Sequence, residues 1–488
     1  MHVRSAATMT TLALLANLVP SHRVSSSCCV RVMSSSARLL ASSSSSSSRP
    51  SSRVVQQMAP NEVSGGGTTA VPPAASDSAL QQQPREDVFD FETPIDRSNT
   101  GAVKWDHYAG KDIIPMWVAD MDLKTSPAII DAVKARADHG IFGYSFPTEG
   151  VQEAIINYYK AIRLAPISEM HGVVVGDKSW IFFTPGTIQS MHAACKMLPE
   201  TASVMVMTPS YPPFFVSPAT TGRGLVLVPS DRAGGRWTFD WEKMDAAMKE
   251  HPETALLFLC NPYNPVGRVF TEEELLRVAE FCEGHDMTIV SDEIHSDLIL
   301  DEGLKHISML ALDGGRFAKR TILLNAPSKT YNVPGLGCSY AIIPDDKLRL
   351  GFSKAAKGWV TLNSPLGYAG AEAAYNKGEP WRQALLKHLR GNRAALYAFI
   401  EERLPELSID PMEATYLAWV DVTKLGWKSP GLEFERAGVG LTDGKSFKGE
   451  GYVRINFACP REMMMEGLRR MEQAVIKGYR EKQGDASP

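Results

Sequence analysis

The stretch Thr321-Ile322-Leu323-Leu324-Asn325-Ala326-Pro327-Ser328-Lys329-Thr330-Tyr331-Asn332-Val333-Pro334-Gly335-Leu336 decides how this chain is read. The apolar run from Thr321 to Leu324 predicts a buried strand ending at Asn325. Pro327 and Pro334 forbid a continuous helix after it, which places Lys329 in a constrained loop just past a strand's carboxyl end. Open α/β sheets bind ligands at that edge. A lysine turned inward there loses hydration, its pKa falls, and its amine becomes able to form an imine with a carbonyl. Taken alone, the stretch better fits a surface loop with an ordinary lysine, so the decision rests on its surroundings.

Working outward, the same grammar repeats. Phe182-Phe183-Thr184, Val204 to Met207, Leu256 to Leu259 and Thr288 to Val290 are short apolar runs, each followed by a turn and most by an amphipathic helix. Thr271 and Glu274 form a capping box before one helix, and Ser126-Pro127 reads as the N-cap and first residue of another. This spacing predicts βαβ units and a largely parallel sheet covered on both faces, an α/β fold. After about Asn363 longer helices and two late strands, Tyr416 to Val420 and Tyr452 to Asn456, predict a smaller α+β domain. The expected division is a leader and linker at 1–86, an amino-terminal part of the small domain at 87–135, a large domain at 136–362 and the rest of the small domain at 363–488.

The chain has 488 residues, 44% hydrophobic and 22% charged, with a net charge of −4, which gives no reason to expect nucleic acid or membrane as partner. Its beginning differs. No acidic residue occurs from Met1 to Asn61, arginines are spread through it and Ser42 to Ser48 is a serine run, the composition of an organelle transit peptide, so a plastid or mitochondrial location is expected. The seven cysteines contain no CxxC pair, which predicts neither a disulfide framework nor a metal site.

Four further groups sit just after predicted strands, as Lys329 does. Gly186-Thr187-Ile188 opens a helix whose free N–H groups and positive dipole end suit a phosphate. Tyr211, between prolines, offers a ring for stacking on a flat heterocycle. Asn264 presents an amide between Pro262 and Pro265. Asp292 ends an apolar strand and needs a positive partner, with His295 close behind. Each has an ordinary structural role when read singly. Together they supply a phosphate seat, a stacking ring, a partner for a phenolic oxygen, a counter-ion for a ring nitrogen and an imine-forming amine, the set that pyridoxal 5′-phosphate requires.

From Phe89 to about Met471 the chain resembles the fold-type I class I/II aminotransferase superfamily. Asn264-Pro265-Val266-Gly267-Arg268 is similar to its NPTGK box. Met116-Trp117-Val118-Ala119-Asp120-Met121-Asp122, Phe142-Gly143-Tyr144-Ser145, Ser291-Asp292-Glu293-Ile294-His295 and Ala326-Pro327-Ser328-Lys329-Thr330 resemble the MalY/PatB C–S lyase subgroup. The resemblance implies a seven-stranded-type, mostly parallel sheet. It implies that Lys329 carries the cofactor, Asp292 pairs with its ring nitrogen, Tyr211 stacks on it, and Asn264 with His295 contacts its phenolic side. Arg454 then grips the substrate α-carboxylate, and Tyr144 reaches a phosphate across a homodimer with shared active sites. Ala326 and Gly337 stand where many aminotransferases carry phosphate ligands, and Ser328 offers a hydroxyl instead. The implied activity is β-elimination from S-substituted cysteines, a small amino-acid substrate, giving thiol, pyruvate and ammonia. An aminotransferase for an aromatic or sulfur-containing amino acid is the alternative, and a cofactor-binding regulator a further one.

Overall fold

The computed structural model describes residues 89–162 and 177–483; the leader and the expected transit segment lie outside the described residues. Its centre is a seven-stranded sheet. In chain order the strands are β1 (Ile181–Thr184), β2 (Ser203–Thr208), β3 (Gly224–Pro229), β4 (Thr254–Cys260), β5 (Thr288–Asp292), β6 (Thr321–Asn325) and β7 (Ser339–Ile342). They lie side by side as β1-β7-β6-β5-β4-β2-β3. Neighbours from β3 through β6 pair in parallel, and β7 runs antiparallel to both β6 and β1. Since β7 opposes both flanking strands, β1 points the same way as β6. Six carboxyl ends therefore open on one edge.

Local sequence accounts for much of this. Val204, Val206, Leu257, Phe258, Ile289, Val290, Ile322 and Leu324 are buried in one core, because helices cover both faces of the sheet. Fully burying each such side chain is worth about 1.5–3 kcal/mol. The capping box of Thr271 and Glu274 is formed in the helix Glu272–Gly284. Ser126 is the N-cap of Pro127–Asp138, but its side chain makes no capping bond, and only Pro127 at the start matches the expectation.

A second core gathers Phe91, Met116 and Met121 with Trp381, Leu385 and Leu389 of the long helix Glu379–Arg403 and with β8 (Leu417–Asp421) and β9 (Tyr452–Asn456). β8 and β9 pair antiparallel at the centre of a four-stranded sheet. The segment Met116–Asp122 crosses over the carboxyl edge of the large sheet as an extended strap, tied by Met116 to β9: Asn456 N–H donates to Met116 O at 2.9 Å. Cys195, Cys260, Cys282, Cys338 and Cys459 are all buried and free. Among the described residues no helix is long and apolar enough to cross a membrane.

Candidate active site

β5 ends at Asp292, whose carboxylate is buried and accepts the Ile294 N–H at 3.2 Å. Among the described residues it makes no ion pair. Burial pushes its pKa up from 3.8 to about 7, with neighbouring Lys329 opposing the rise. Three residues on, the His295 ring is buried with Nδ1 unpartnered. Burial and the adjacent charges of Lys329 and Arg454 push its pKa down to about 3, so it is neutral.

β6 delivers Lys329 through a turn. Asn325 closes the strand with its side chain on Tyr159 and Ser296, and the Tyr331 N–H donates to Pro327 O at 2.9 Å, folding the loop back. Lys329 Nζ donates to the Ala119 carbonyl at 2.8 Å. Burial first, and then Arg454, lower its pKa from 10.5 to about 8, while Asp120 and Asp292 pull the other way. Lys329 is thus an inward lysine, not the surface lysine that its stretch taken alone describes.

Arg454 enters from β9. Its Nη1 donates to Asn264 Oδ1 at 3.1 Å and its Nη2 to the Trp117 carbonyl at 3.0 Å, and the guanidinium lies over the Phe447 ring, 4.7 Å from the centroid. Nε is buried and has no partner among the described residues. Burial lowers its pKa to about 10, which leaves it charged at neutral pH. Asn264 therefore spends its carbonyl on Arg454 and keeps its amide donor for a ligand. Tyr211 is half-buried in the turn after β2, its pKa raised to about 12 by burial and by Asp292, against the pull of Arg454.

Gly186 is the N-cap of Thr187–Lys196, directly after β1 on the same edge, with Thr187 buried and Ile188 partly exposed. Ser328 is half-buried beside Lys329. Gly337 takes a left-handed φ of +61°, a conformation glycine adopts without steric cost and arginine does not. Tyr144 does not join these groups within one chain: it is fully exposed, in a segment where Phe142 and Phe146 are also exposed.

Several participants work through the backbone and carry no sequence signal. Trp117 O holds Arg454, Ala119 O holds Lys329, and Val118 O and Asp120 O accept from Asn456 Nδ2 at 2.5 and 2.6 Å. Asn332, three residues past Lys329, clamps Met121 N, Met121 O and Leu123 O. The strap's own Asp120 and Asp122 join an ion network that is buried at Asp122 and Lys104 and partly exposed at Arg97 and Asp120. Arg97 meets Asp120 at 2.6 Å and Asp122 at 2.7 Å, and Lys104 meets Asp122 at 2.7 Å.

These residues suit a flat, anionic heterocycle with a basic ring nitrogen. The buried Asp292 carboxylate lacks a cation within ion-pair distance among the described residues, where His295 Nδ1 and Arg454 Nε also find no partner, and the charges of Lys329 and Arg454 act on the His295 ring.

Residues 111–471 match the family model "Aminotransferase class I and II". The chain is 35% identical to "Cystathionine beta-lyase PatB" of Bacillus subtilis, covering 79% of this chain and 99% of that protein. It is 31% identical to "Protein MalY" of Escherichia coli, covering 80% and 99%. Among solved structures it is similar to cystalysin from Treponema denticola, which contains pyridoxal 5′-phosphate, with a TM-score of 0.74, 30% identity and coverage of 80% and 99%. One expectation is corrected. These relatives are bacterial proteins, from cells without plastids or mitochondria, and the organelle location read from the composition of the first 61 residues does not stand.

Proposed function

The chain belongs to the class I and II aminotransferase family, and from that premise we propose that it is a pyridoxal 5′-phosphate-dependent carbon–sulfur β-lyase. It cleaves S-substituted cysteines with water to thiol, pyruvate and ammonia. The reading is carried by the convergence of Asp292 from the end of β5, Lys329 from the loop after β6 and Arg454 from the middle of β9, together with relatives whose names are those of lyases.

The amides opening the Thr187 helix would hold the phosphate, with the Ser328 hydroxyl available to it. Tyr211 would serve the ring face, the Asn264 amide and His295 its phenolic oxygen, and Asp292 its ring nitrogen. When bound, the cofactor supplies an electron sink for the pair left on the substrate α-carbon. Arg454 receives the substrate α-carboxylate on its guanidinium, a planar fork matched to that anion. Lys329, with a pKa of about 8, is neutral in a useful fraction of molecules near that pH and takes the α-proton. His295, being neutral, adds no competing charge. A thiolate on Cβ then leaves and is protonated.

The active unit is a homodimer, supported by the exposure of Tyr144 with Phe142 and Phe146, which suits a segment covered by a second copy and reaching that copy's phosphate seat. The core that joins Phe91, Met116 and Met121 to Trp381, Leu417 and Val453 supports a small domain formed by 87–135 and 363–488 beside a large domain at 136–362. The deciding assay supplies L-cystathionine without a keto acid. Pyruvate and thiol released in equal amounts are expected; turnover that requires a keto acid and releases no thiol indicates an aminotransferase.

A further inference from the structure

Thr415 has a φ of +74° and is fully buried. A left-handed backbone is a real outlier for a β-branched residue, and such strain persists where surrounding structure holds it for a purpose. The holding contacts are visible. Thr415 N–H donates to Leu298 O at 2.8 Å, and Leu298 N–H donates to His295 O at 2.9 Å, so the strained residue is anchored to the turn that follows Asp292. Its own hydroxyl accepts the Leu417 N–H at 3.2 Å.

The strain aims the next side chain. Tyr416 is fully buried, its ring lies edge-on to His295 with centroids 6.4 Å apart, and its hydroxyl donates to the Ala119 carbonyl at 3.0 Å. That is the oxygen to which Lys329 Nζ also donates, at 2.8 Å. Two donors thus divide one acceptor. The charged and titratable groups facing Lys329 are Asp292 from β5, Asp120 from the strap, Arg454 from β9 and His295 from the turn after β5.

We propose that Tyr416 is a positioning residue for Lys329: its hydroxyl, aimed by the strained turn at Thr415, occupies part of the Ala119 carbonyl so that this oxygen directs the amine without holding it. A carbonyl left wholly to Lys329 would favour the charged ammonium and retain it. Shared, it fixes the direction of the amine and lets it leave for the substrate proton. Burial and Asp120 keep the phenol protonated, so it remains a donor at working pH.

This rests on Lys329 being the reacting amine. In the full-length protein freed of cofactor, the pH at which Lys329 is half-labelled by an acylating reagent is read by mass spectrometry. Tyr416→Phe is expected to raise it by roughly half a unit or more, because the competing donor is gone. In the holoenzyme the same variant is expected to lose about tenfold in kcat with KM within about twofold. A folded Tyr416→Phe protein whose half-labelling pH does not move overturns the proposal, whatever its activity. If that variant folds poorly, Tyr416→Met removes the same donor with a flexible side chain that fills the space: the half-labelling pH should rise, and an unmoved value overturns the proposal. Failure of the reading it rests on looks different, because Lys329→Ala would then still be loaded with covalently fixable cofactor.

Discussion

Lys329 Nζ lies 2.8 Å from the carbonyl oxygen of Ala119, 210 residues earlier in the chain. This contact ties the amine at the end of β6 to the strap that also holds Arg454 through Trp117 O. The strap therefore holds the Lys329 amine and the Arg454 guanidinium through carbonyls two residues apart.

The depressed pKa of Lys329 sets the pH at which it reacts. Ordinary lysines are half-deprotonated near 10.5, whereas burial and Arg454 bring Lys329 to about 8. In cofactor-free protein, Lys329 should be half-labelled by an acylating reagent near pH 8, with surface lysines lagging. Lys329→Ala should abolish both borohydride-fixable cofactor and turnover.

Asp292 makes stability depend on pH in the opposite sense to a salt-bridged carboxylate. Its pKa is pushed from 3.8 to about 7, so in the cofactor-free protein the folded state binds the proton more tightly across that window. Stability from this group is present at low pH and lost as pH rises through about 7. Asp292→Asn should therefore be the more stable protein above pH 7, by on the order of 4 kcal/mol, with the gap closing toward pH 4. Urea unfolding of the two proteins at pH 4 and pH 7.5 measures it, and a gap that widens toward pH 4 contradicts the assignment. Lys329 contributes with the reverse slope between about 8 and 10.5, where the unfolded state binds more protons.

Arg454→Lys keeps the charge and removes the fork. The substitution should raise KM for an amino-acid substrate about a hundredfold, on the order of 3 kcal/mol, with a smaller loss in kcat. Steady-state kinetics separate the two; an unchanged KM would remove Arg454 from carboxylate binding.

The ion network of the strap is a stability element whose loss reaches the site. Lys104 and Asp122 are both about 1% exposed. Asp122→Ala leaves a buried ammonium with reduced compensation and should cost about 3–5 kcal/mol, seen as a lower urea midpoint. A midpoint unchanged from the parent would show that Arg97, Lys104 and Asp120 compensate without it.

The proposed sharing of active sites across a dimer has a direct genetic test. Lys329→Ala and Tyr144→Ala chains, each inactive or weakly active alone, should form mixed dimers in which one of two sites is intact. Random mixing then restores about a quarter of parental activity. No recovery from a mixture that exchanges subunits would place Tyr144 outside the partner's site.

What the sequence determined by itself is local. An apolar run followed by prolines reports a strand and its end, and a polar residue just beyond it is forced to the sheet's open edge. Asp292, Lys329, Tyr211, Asn264 and the Gly186 turn were all legible on that ground, and Arg454 became legible only through likeness to a family. What tertiary structure alone decided is how that edge is closed. β7 runs antiparallel, a direction its four residues do not encode, because reversal comes from the chain's path rather than its pattern. The strap of Met116–Asp122 acts through Trp117, Val118, Ala119 and Asp120 carbonyls, a group every residue carries, so no spacing marks it. Tyr416 looked like the first residue of an apolar strand. Its hydroxyl acquires a partner only when the strained turn at Thr415 brings it to Ala119, 297 residues away in sequence.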